Sequence, residues 1–234
     1  MIEPDVTRLS PNFSASPPTQ RLVVIHATRS GTSNNPSEFD GTLNWFGRTD
    51  SQVSSHWVIG RDGRKARVVA DGQQAWHSGE HNVGWGIELE QGVSADGFTP
   101  PQLAALTEVC AGYVLDFGVP AVHTLDAGQP GFIGHEETKQ GKRVGKSDPG
   151  SLFAWDAFIA GLRRRAAPSP GAPGSPLDEL TAGEIAWACG HLQDYALAEV
   201  LSPNDHSLPR LEKMHPHDLE IIEALVAEAR KRQR

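Results

Sequence analysis

Near the N-terminus, four apolar residues follow one another without interruption in the segment RLVVIHAT, residues 21–28. A run of this kind predicts a strand that is buried on both faces of a sheet. The run ends at His26, and polar residues dominate the next eight positions. His26 therefore lies at the end of a predicted strand. At this position His26 is either a core residue held by a hydrogen bond or a metal ligand at the end of the strand.

The segments 56–60 and 66–70 are rich in β-branched and aromatic residues, and they flank the dipeptide Asp62-Gly63. This dipeptide favours a tight turn between antiparallel strands, so we predict a hairpin. A loop that contains Trp76 and His77 follows the hairpin. The loop thus places an indole and an imidazole side by side.

Apolar residues alternate with other residues in the segment WGIELE, residues 85–90. The alternation predicts a strand with Trp85, Ile87 and Leu89 on one face. Gly86, Glu88 and Glu90 then share the other face. Either of these carboxylates could be buried close to a metal.

Three segments have the apolar spacing of helices. One covers residues 36–48, a second begins at the capping-box pattern Thr99-Pro-Pro-Gln102, and a third covers residues 153–162. Helices and strands alternate along this part of the chain. The pattern predicts an α/β fold, with a central mixed β-sheet flanked by helices.

Changes in composition predict four regions. Residues 1–20 contain four prolines and little periodicity, which predicts an extended N-terminal arm. The folded domain is predicted over residues 21–165, followed by a Pro/Gly/Ser/Ala linker over residues 166–176. Two amphipathic segments in residues 177–234 predict a small C-terminal helical module, which must pack on the main domain, a copy of itself or a partner.

Charge and composition exclude several classes of protein. A net charge of -8 argues against general nucleic-acid binding, and no apolar stretch is long enough for membrane insertion. Two isolated cysteines, Cys110 and Cys189, favour a reduced compartment over a disulfide framework. The first residues lack the basic and apolar regions of a signal peptide, which predicts a cytoplasmic protein until release.

The segment GHEETKQGKRVGKSDPG, residues 134–150, contains residues suited to metal chemistry. His135 and Asp148 are both suitable ligands for a divalent metal such as zinc, and Pro149 fixes a turn directly after Asp148. A catalytic zinc site needs three protein ligands and one open position. His26, at the end of its predicted strand, is the candidate for the third.

Five motifs then carry a resemblance to a known family: VVIHAT, VSSHWVIGRDG, AWHSG, GIELE, and IGH followed by KSDPG. In this order they resemble the zinc-dependent N-acetylmuramoyl-L-alanine amidases of phage endolysins. The same family includes the anhydro-muropeptide amidases of cell-wall recycling and the peptidoglycan-recognition proteins. The resemblance covers about residues 21–162 and leaves out both ends of the chain.

The resemblance implies a single Zn²⁺ held by His26, His135 and Asp148. It also implies that Glu88 is the catalytic base and that Lys146 stabilises the oxyanion. From the residues alone, Glu90 competes with Glu88, and Lys146 reads as one more basic residue in a basic loop.

Three further residues are predicted to contact or surround the substrate: Trp76, His77 and His56. His56 is also a candidate for a supporting role in its strand. Several phage members carry a tyrosine at the position of Ser55, where it helps to polarise the scissile carbonyl. The serine hydroxyl is too short for that contact, so Lys146 or His77 would have to supply it.

The predicted function is hydrolysis of the amide between N-acetylmuramic acid and L-alanine in peptidoglycan, by a phage or prophage endolysin that acts on the bacterial cell wall. One alternative is a cytosolic amidase that recycles soluble anhydro-muropeptides. The other is a peptidoglycan-binding protein without catalysis. The C-terminal helices are predicted to attach the protein to the wall or to mediate self-association.

Overall fold

The computed structural model describes residues 2–79 and 82–166, which belong to one compact unit that ends at Ala166. Residues 167–176 of the predicted linker and the predicted helical module over 177–234 lie outside the described residues. The strands are β1 (Val6–Thr7), β2 (Phe13–Ser14), β3 (Leu22–Ala27), β4 (Trp57–Ile59), β5 (Lys65–Arg67), β6 (Gln74–Ala75), β7 (Trp85–Leu89) and β8 (Gly131–Gly134). The α-helices are α1 (Glu38–Phe46), α2 (Pro100–Phe117), α3 (Lys139–Val144) and α4 (Trp155–Ala166).

Within the described residues, six strands form one sheet in the order β1-β5-β4-β7-β3-β8. The β4–β5 pair is antiparallel, whereas the other neighbouring strands pair in parallel. The predicted α/β fold with a central mixed sheet is therefore confirmed. Because β3, β7 and β8 run in the same direction, their carboxyl ends meet at one edge of the sheet.

The two faces of the sheet pack against different helices. Side chains from β3, β4 and β7 join residues of α2 and α4 in the larger apolar cluster. This cluster contains Trp85, Ile87 and Leu89, so the predicted face of β7 is confirmed. On the opposite face, Val58 packs with residues of α1 in a second cluster, while Leu22 and Val24 belong to a third.

Local sequence signals explain the ends of helix α2. The Thr99 side chain accepts a hydrogen bond from the Gln102 backbone N–H, and Gly118 ends the helix in the left-handed conformation with φ of 65°. The Gln102 side chain does not complete the predicted capping box. Its amide instead donates to the carbonyls of Ile59 and Glu90, and so ties the helix to the sheet.

Helices α1 and α4 each begin two residues later than the sequence pattern predicts. The short helix α3 has no counterpart in the prediction. It contains a glycine and three basic residues in six positions, so it lacks the apolar periodicity that identifies a helix. Its start is fixed by the Thr138 side chain, which accepts a hydrogen bond from the Gly141 backbone N–H.

The N-terminal arm is extended and is also part of the folded unit. Strand β1 adds to the edge of the main sheet, and β2 pairs with β6 in a separate two-stranded sheet. Between them, Ser10 and Asn12 are buried, and the Asn12 side chain donates to the Arg48 carbonyl at 2.7 Å. A domain boundary at residue 21 would therefore separate β1 and β2 from the strands with which they pair, β5 and β6.

Candidate metal centre and cleft

Three residues that are far apart in the sequence meet at the carboxyl edge of the sheet. His26 is the second-last residue of β3, His135 follows β8, and Asp148 lies in the loop after α3. One ligand-type atom from each lies within 4.8 Å of those from the other two. All three residues are buried, with 3% exposure for His26, 4% for His135 and 7% for Asp148. The fold thus brings together the three predicted ligands.

The distances within this group favour a cation at its centre. Asp148 Oδ2 lies 3.1 Å from His135 Nδ1 and 3.5 Å from His26 Nδ1. Atoms that carry lone pairs repel one another at this separation unless a proton or a metal ion lies between them. Two imidazole nitrogens and one carboxylate oxygen also form the ligand set of a catalytic zinc site with one open position.

Each histidine of the group has an outer hydrogen-bond partner. His77 Nε2 lies 3.3 Å from the Gly84 carbonyl oxygen and must donate to it, so His77 Nδ1 can accept from His26 Nε2 at 3.1 Å. His135 Nε2 can donate to Gln140 Oε1 at 3.1 Å in the same way. With these protons assigned to Nε2, both Nδ1 atoms keep a lone pair for a metal.

The local electrostatics keep the ligands in the protonation states that a metal requires. Burial lowers the pKa of His26 to about 4, so its ring is neutral near pH 7. Burial alone would raise the pKa of Asp148, but the side chains of His135 and His26 beside it outweigh that effect and hold the pKa well below its usual value. Asp148 is therefore ionised.

Glu88 faces the same space as the metal-binding group. It is paired in register with His26 on the neighbouring parallel strand, and its side chain lines the cleft. Burial, followed by the nearby negative charge of Asp148, raises the pKa of Glu88 well above its ordinary value. A carboxyl group with a raised pKa can both accept and return a proton near neutral pH.

Glu90, the competing carboxylate, lies outside the cleft. It is 6% exposed, and its Oε2 accepts a hydrogen bond from the Arg61 backbone N–H at 2.7 Å. The Glu90 carboxylate therefore has a structural partner at the turn after β4. Only Glu88 of the two lines the space beside the three candidate ligands.

An open cleft of about 660 Å³ lies above this edge of the sheet. Lys146 lies on its wall, two residues before Asp148, with an exposed side chain. Trp45 on α1 and Trp76 line it as well, and the Trp76 indole N–H donates to Ser14 Oγ at 3.0 Å. The cleft therefore combines a cationic wall with aromatic surfaces.

The three residues predicted to contact the substrate lie in different positions. Trp76 and His77 line the cleft, and His77 also holds His26. His56 is fully buried: its Nδ1 accepts from the Gly86 backbone N–H at 3.0 Å, and its Nε2 lies 2.8 Å from the Gln73 carbonyl oxygen. His56 is not among the residues that line the cleft, and both of its ring nitrogens serve the backbone, which fits the supporting role in its strand.

Ser55 is also directed away from the cleft. It is fully buried, and its hydroxyl donates to the Trp57 carbonyl at 2.7 Å. A contact of Ser55 with a scissile carbonyl is therefore excluded in this structure. Lys146 and His77 are the cleft residues that remain from the sequence prediction for this contact.

Sequence reasoning missed the role of Gly86 in the centre of β7. A Cβ atom at this position would lie 2.5 Å from Cγ of His77, so only glycine lets the His77 ring rest against the strand. A glycine inside a strand pattern often marks such a close approach, and this signal was present in WGIELE. Gln140 was missed as well, because nothing in the sequence links it to His135.

The open cleft over the carboxyl edge of the sheet has potential metal ligands and an acid–base carboxylate on its floor, an arrangement suited to a metal-dependent hydrolase. The family of the chain follows from comparison with known sequences. Residues 15–151 match the family described as N-acetylmuramoyl-L-alanine amidase, and the chain belongs to this family. The match includes each of the predicted ligands and Glu88.

Two curated relatives carry related activities in their names. The chain is 32% identical over 74 residues to N-acetylmuramoyl-L-alanine amidase A of Achromobacter lyticus, which covers 31% of this chain and 38% of the relative. It is 28% identical over 180 residues to 1,6-anhydro-N-acetylmuramyl-L-alanine amidase AmpD of Haemophilus influenzae. That second match covers 66% of this chain and 90% of the relative.

Solved structures share the fold. An AmpD derivative superimposes with a TM-score of 0.52 at 24% identity, covering 69% of this chain and 96% of that one. The Staphylococcus aureus hydrolase AmiA has a TM-score of 0.51 at 12% identity, with coverages of 70% and 85%. At these identities the likeness supports the fold alone.

Proposed function

We propose that the chain is a zinc-dependent amidase that cleaves the bond between the lactyl group of N-acetylmuramic acid and L-alanine in peptidoglycan. One observation carries the proposal: His26, His135 and Asp148 converge at the carboxyl edge of the sheet, with Glu88 in register beside His26. Family membership supports the same chemistry. His26, His135 and Asp148 would hold one Zn²⁺, which would act as a Lewis acid and lower the pKa of water to about 7.

Glu88 has the position and the raised pKa of a general base. It takes a proton from the water that attacks the amide carbon, and it returns this proton to the nitrogen as the C–N bond breaks. The products are the lactyl carboxylate and a peptide with a free alanine amino group. Burial removes water from the Glu88 carboxylate and raises its pKa, and this makes the carboxylate basic enough to accept the proton.

Lys146 has the charge to stabilise the oxygen of the tetrahedral transition state. Its side chain is on the cleft wall and its backbone is held, because the Lys146 N–H donates to the Gly141 carbonyl at 2.9 Å. A cation placed where negative charge develops lowers the barrier to the reaction. Trp76 and His77 supply an adjoining wall for the glycan or the stem peptide.

Two biological roles fit this chemistry. An endolysin would act on intact wall, and we favour this role because of the predicted additional C-terminal module. The AmpD relative, matched over 90% of its length, supports a recycling amidase that acts on soluble anhydro-muropeptides. Digestion of purified sacculi and of soluble anhydro-muropeptide in parallel separates the two roles, because activity on the soluble fragment alone excludes the endolysin.

Assays of the purified protein test the chemistry itself. Mass spectrometry of digested wall is expected to show free lactyl groups and new alanine amino termini, and metal analysis is expected to give about one zinc ion per chain. If the protein binds wall polymer but releases no amino termini, it is a peptidoglycan-binding protein without catalysis. The presence of all three candidate ligands and of Glu88 argues against that alternative.

For residues 177–234 we propose an accessory role in wall attachment or self-association. The test compares the full chain with a protein that ends at Ala166, the last residue of the compact unit. We expect the shorter protein to keep its amidase activity on soluble fragments and to lose affinity for intact wall or change its oligomeric state. Unchanged wall affinity, oligomeric state and stability would remove this proposal.

A further inference from the structure

The loop that carries Lys146 and Asp148 is held by a residue that family resemblance does not assign, Arg29. Arg29 lies two residues after the end of β3 and is half-buried on the wall of the cleft. Its guanidinium donates to two backbone carbonyls, those of Ser147 and Pro149, each at 3.0 Å from Nη2. These two carbonyls flank Asp148 on both sides.

The Arg29 guanidinium also binds a buried side chain through another donor, Nε. Arg29 Nε donates to Gln91 Oε1 at 2.5 Å, and Gln91 is fully buried. The Gln91 side chain in turn donates to the Asp96 carbonyl at 2.6 Å. Arg29 therefore links a buried, hydrogen-bonded side chain to the loop, in the way that a planar guanidinium with several fixed donors allows.

The backbone of Arg29 is also constrained. Its φ is 54°, in the left-handed region that residues other than glycine rarely adopt. The Arg29 backbone N–H donates to the Gln91 carbonyl at 2.7 Å, which fixes the residue in this conformation. Strained conformations of this kind persist where the surrounding structure holds them, and they cluster at functional sites.

The acceptors of Arg29 are all uncharged. Nη1 lies 3.3 Å from Ser147 Oγ, which adds a third contact to the loop. Among the residues that the structure describes, no carboxylate forms an ion pair with Arg29. The direct contacts of this guanidinium are thus with neutral groups of the loop and with Gln91, and its charge acts on Glu136 only from a longer distance.

From these contacts we infer that Arg29 is a positioning residue: it fixes the backbone on both sides of Asp148, and so sets the places of the Asp148 carboxylate and the Lys146 ammonium relative to His26 and His135. The inference rests on the proposed function. The loop has a second anchor, because the Glu136 N–H donates to the Asp148 carbonyl at 2.9 Å. Loss of Arg29 is therefore expected to loosen the site without unfolding the domain.

The experiment compares the full-length wild type with Arg29→Ala, Arg29→Lys and a control, Arg163→Ala. Arg163 is an exposed arginine on helix α4. Like Arg29 it donates to the backbone, but to one carbonyl only, that of Ala121. Three quantities are measured for each protein: the zinc dissociation constant by competition with a chelator, and kcat and KM on soluble muropeptide. Thermal unfolding of the metal-free proteins reports any loss of fold.

For Arg29→Ala we expect zinc binding to weaken and kcat to fall, each by about 10–100-fold, as for other residues that orient metal ligands. KM should change by less than about threefold, because ground-state contacts with the substrate remain. Arg29→Lys keeps the charge but not the planar set of donors, so it should not restore either quantity. Arg163→Ala should match the wild type.

Wild-type kcat and zinc affinity in Arg29→Ala would overturn the inference, and so would full recovery of both in Arg29→Lys, which would show that charge alone suffices. If Arg29→Ala fails to fold, the comparison of Arg29→Lys with the wild type decides in the same way. A wild type that binds no zinc and cleaves no muropeptide would instead refute the proposed function. The two failures are therefore distinguishable.

Discussion

The two faces of strands β3 and β7 differ in what they bury. One face presents Val23, Ile25 and Ile87 to the helices α2 and α4, and these side chains belong to one apolar cluster. The other face begins with Leu22 and Val24 at the amino end and changes to His26 and Glu88 at the carboxyl end. Neighbouring residues of a single strand therefore serve a hydrophobic core and a site of chemistry.

The difference shows where the stability and the reactivity of the domain originate. Each large apolar side chain buried on the first face contributes roughly 1.5–3 kcal/mol of burial free energy. On the second face, burial disfavours the charged forms of Glu88, His26 and His56, and their pKa values shift accordingly. We infer that the apolar face offsets the free-energy cost of the polar one.

The largest expected effect is the loss of a metal ligand on the polar face. Replacing His135 by alanine removes one of the three convergent atoms, so bound zinc and amidase activity should fall to the level of the wild type treated with a strong chelator. Metal analysis and the release of amino termini measure both quantities. Stoichiometric zinc and full activity in this variant would exclude the proposed site.

The next effect concerns the base. Glu88→Gln keeps the size of the side chain and removes its ability to accept a proton, so kcat should fall by about 10²–10⁴-fold. Zinc content should be unchanged, because Glu88 is not among the three ligands. As a matched control, Glu90→Gln changes a carboxylate of the same strand region that lies outside the cleft and should retain most of the activity. The assignment fails if Glu90→Gln is the inactive variant.

On the apolar face the expected change is in stability alone. Leu106 in α2 is fully buried, and Leu106→Ala should reduce the free energy of unfolding by about 2–5 kcal/mol. Denaturant titration measures the loss, and kcat of the protein that remains folded should match the wild type. A large fall in kcat with normal stability would mean that the two faces are not separable.

The pH dependence of stability offers a further contrast. Burial lowers the pKa of His56 to about 4 from its ordinary value of 6.5. Between these values the unfolded chain binds a proton that the folded protein does not, so the metal-free protein should lose stability as the pH falls from 6.5 to 4. His56 alone contributes about 3 kcal/mol to this loss, at about 1.4 kcal/mol per pKa unit.

Unfolding of the wild type and of His56→Gln at a series of pH values isolates this contribution. The difference in unfolding free energy between the two proteins should shrink as the pH falls through the window from 6.5 to about 4. Leu106→Ala serves as the comparison, because its deficit comes from packing and should stay constant over the same window. A constant difference for His56→Gln would show that His56 titrates normally in the folded state.

The smallest expected effect comes from a glycine on the polar face. A methyl group at Gly86 would meet the ring of His77, so Gly86→Ala should displace His77 from His26. Zinc affinity should then fall by about 10–100-fold, as expected when a partner of a ligand is disturbed. Chelator competition measures the change, and Gly72→Ala, at a site where an added Cβ meets no atom within 4 Å, is the control. Equal affinities in the two variants would contradict the role of the His77 contact.

Much of the fold followed from local patterns. The apolar run before His26, the alternation in WGIELE and the turn at Asp62-Gly63 predicted strands because the side-chain periodicity of a strand is set by backbone geometry alone. Helix α3 and the pairing of β1 and β2 were not predicted. These short segments lack periodicity, and they hold their conformations through contacts with partners that are distant in sequence.

The sequence by itself determined which residue types were available for the chemistry: two imidazoles and two carboxylates of suitable kind, together with the motifs of the family. Only the tertiary structure showed that Glu88 lines the cleft while Glu90 and His56 do not, and that Arg29 binds the loop of Asp148. The physical reason is that burial and hydrogen-bond partners depend on which strands become neighbours. The order of the strands arises from packing between segments that are distant in the sequence, so no single segment predicts it.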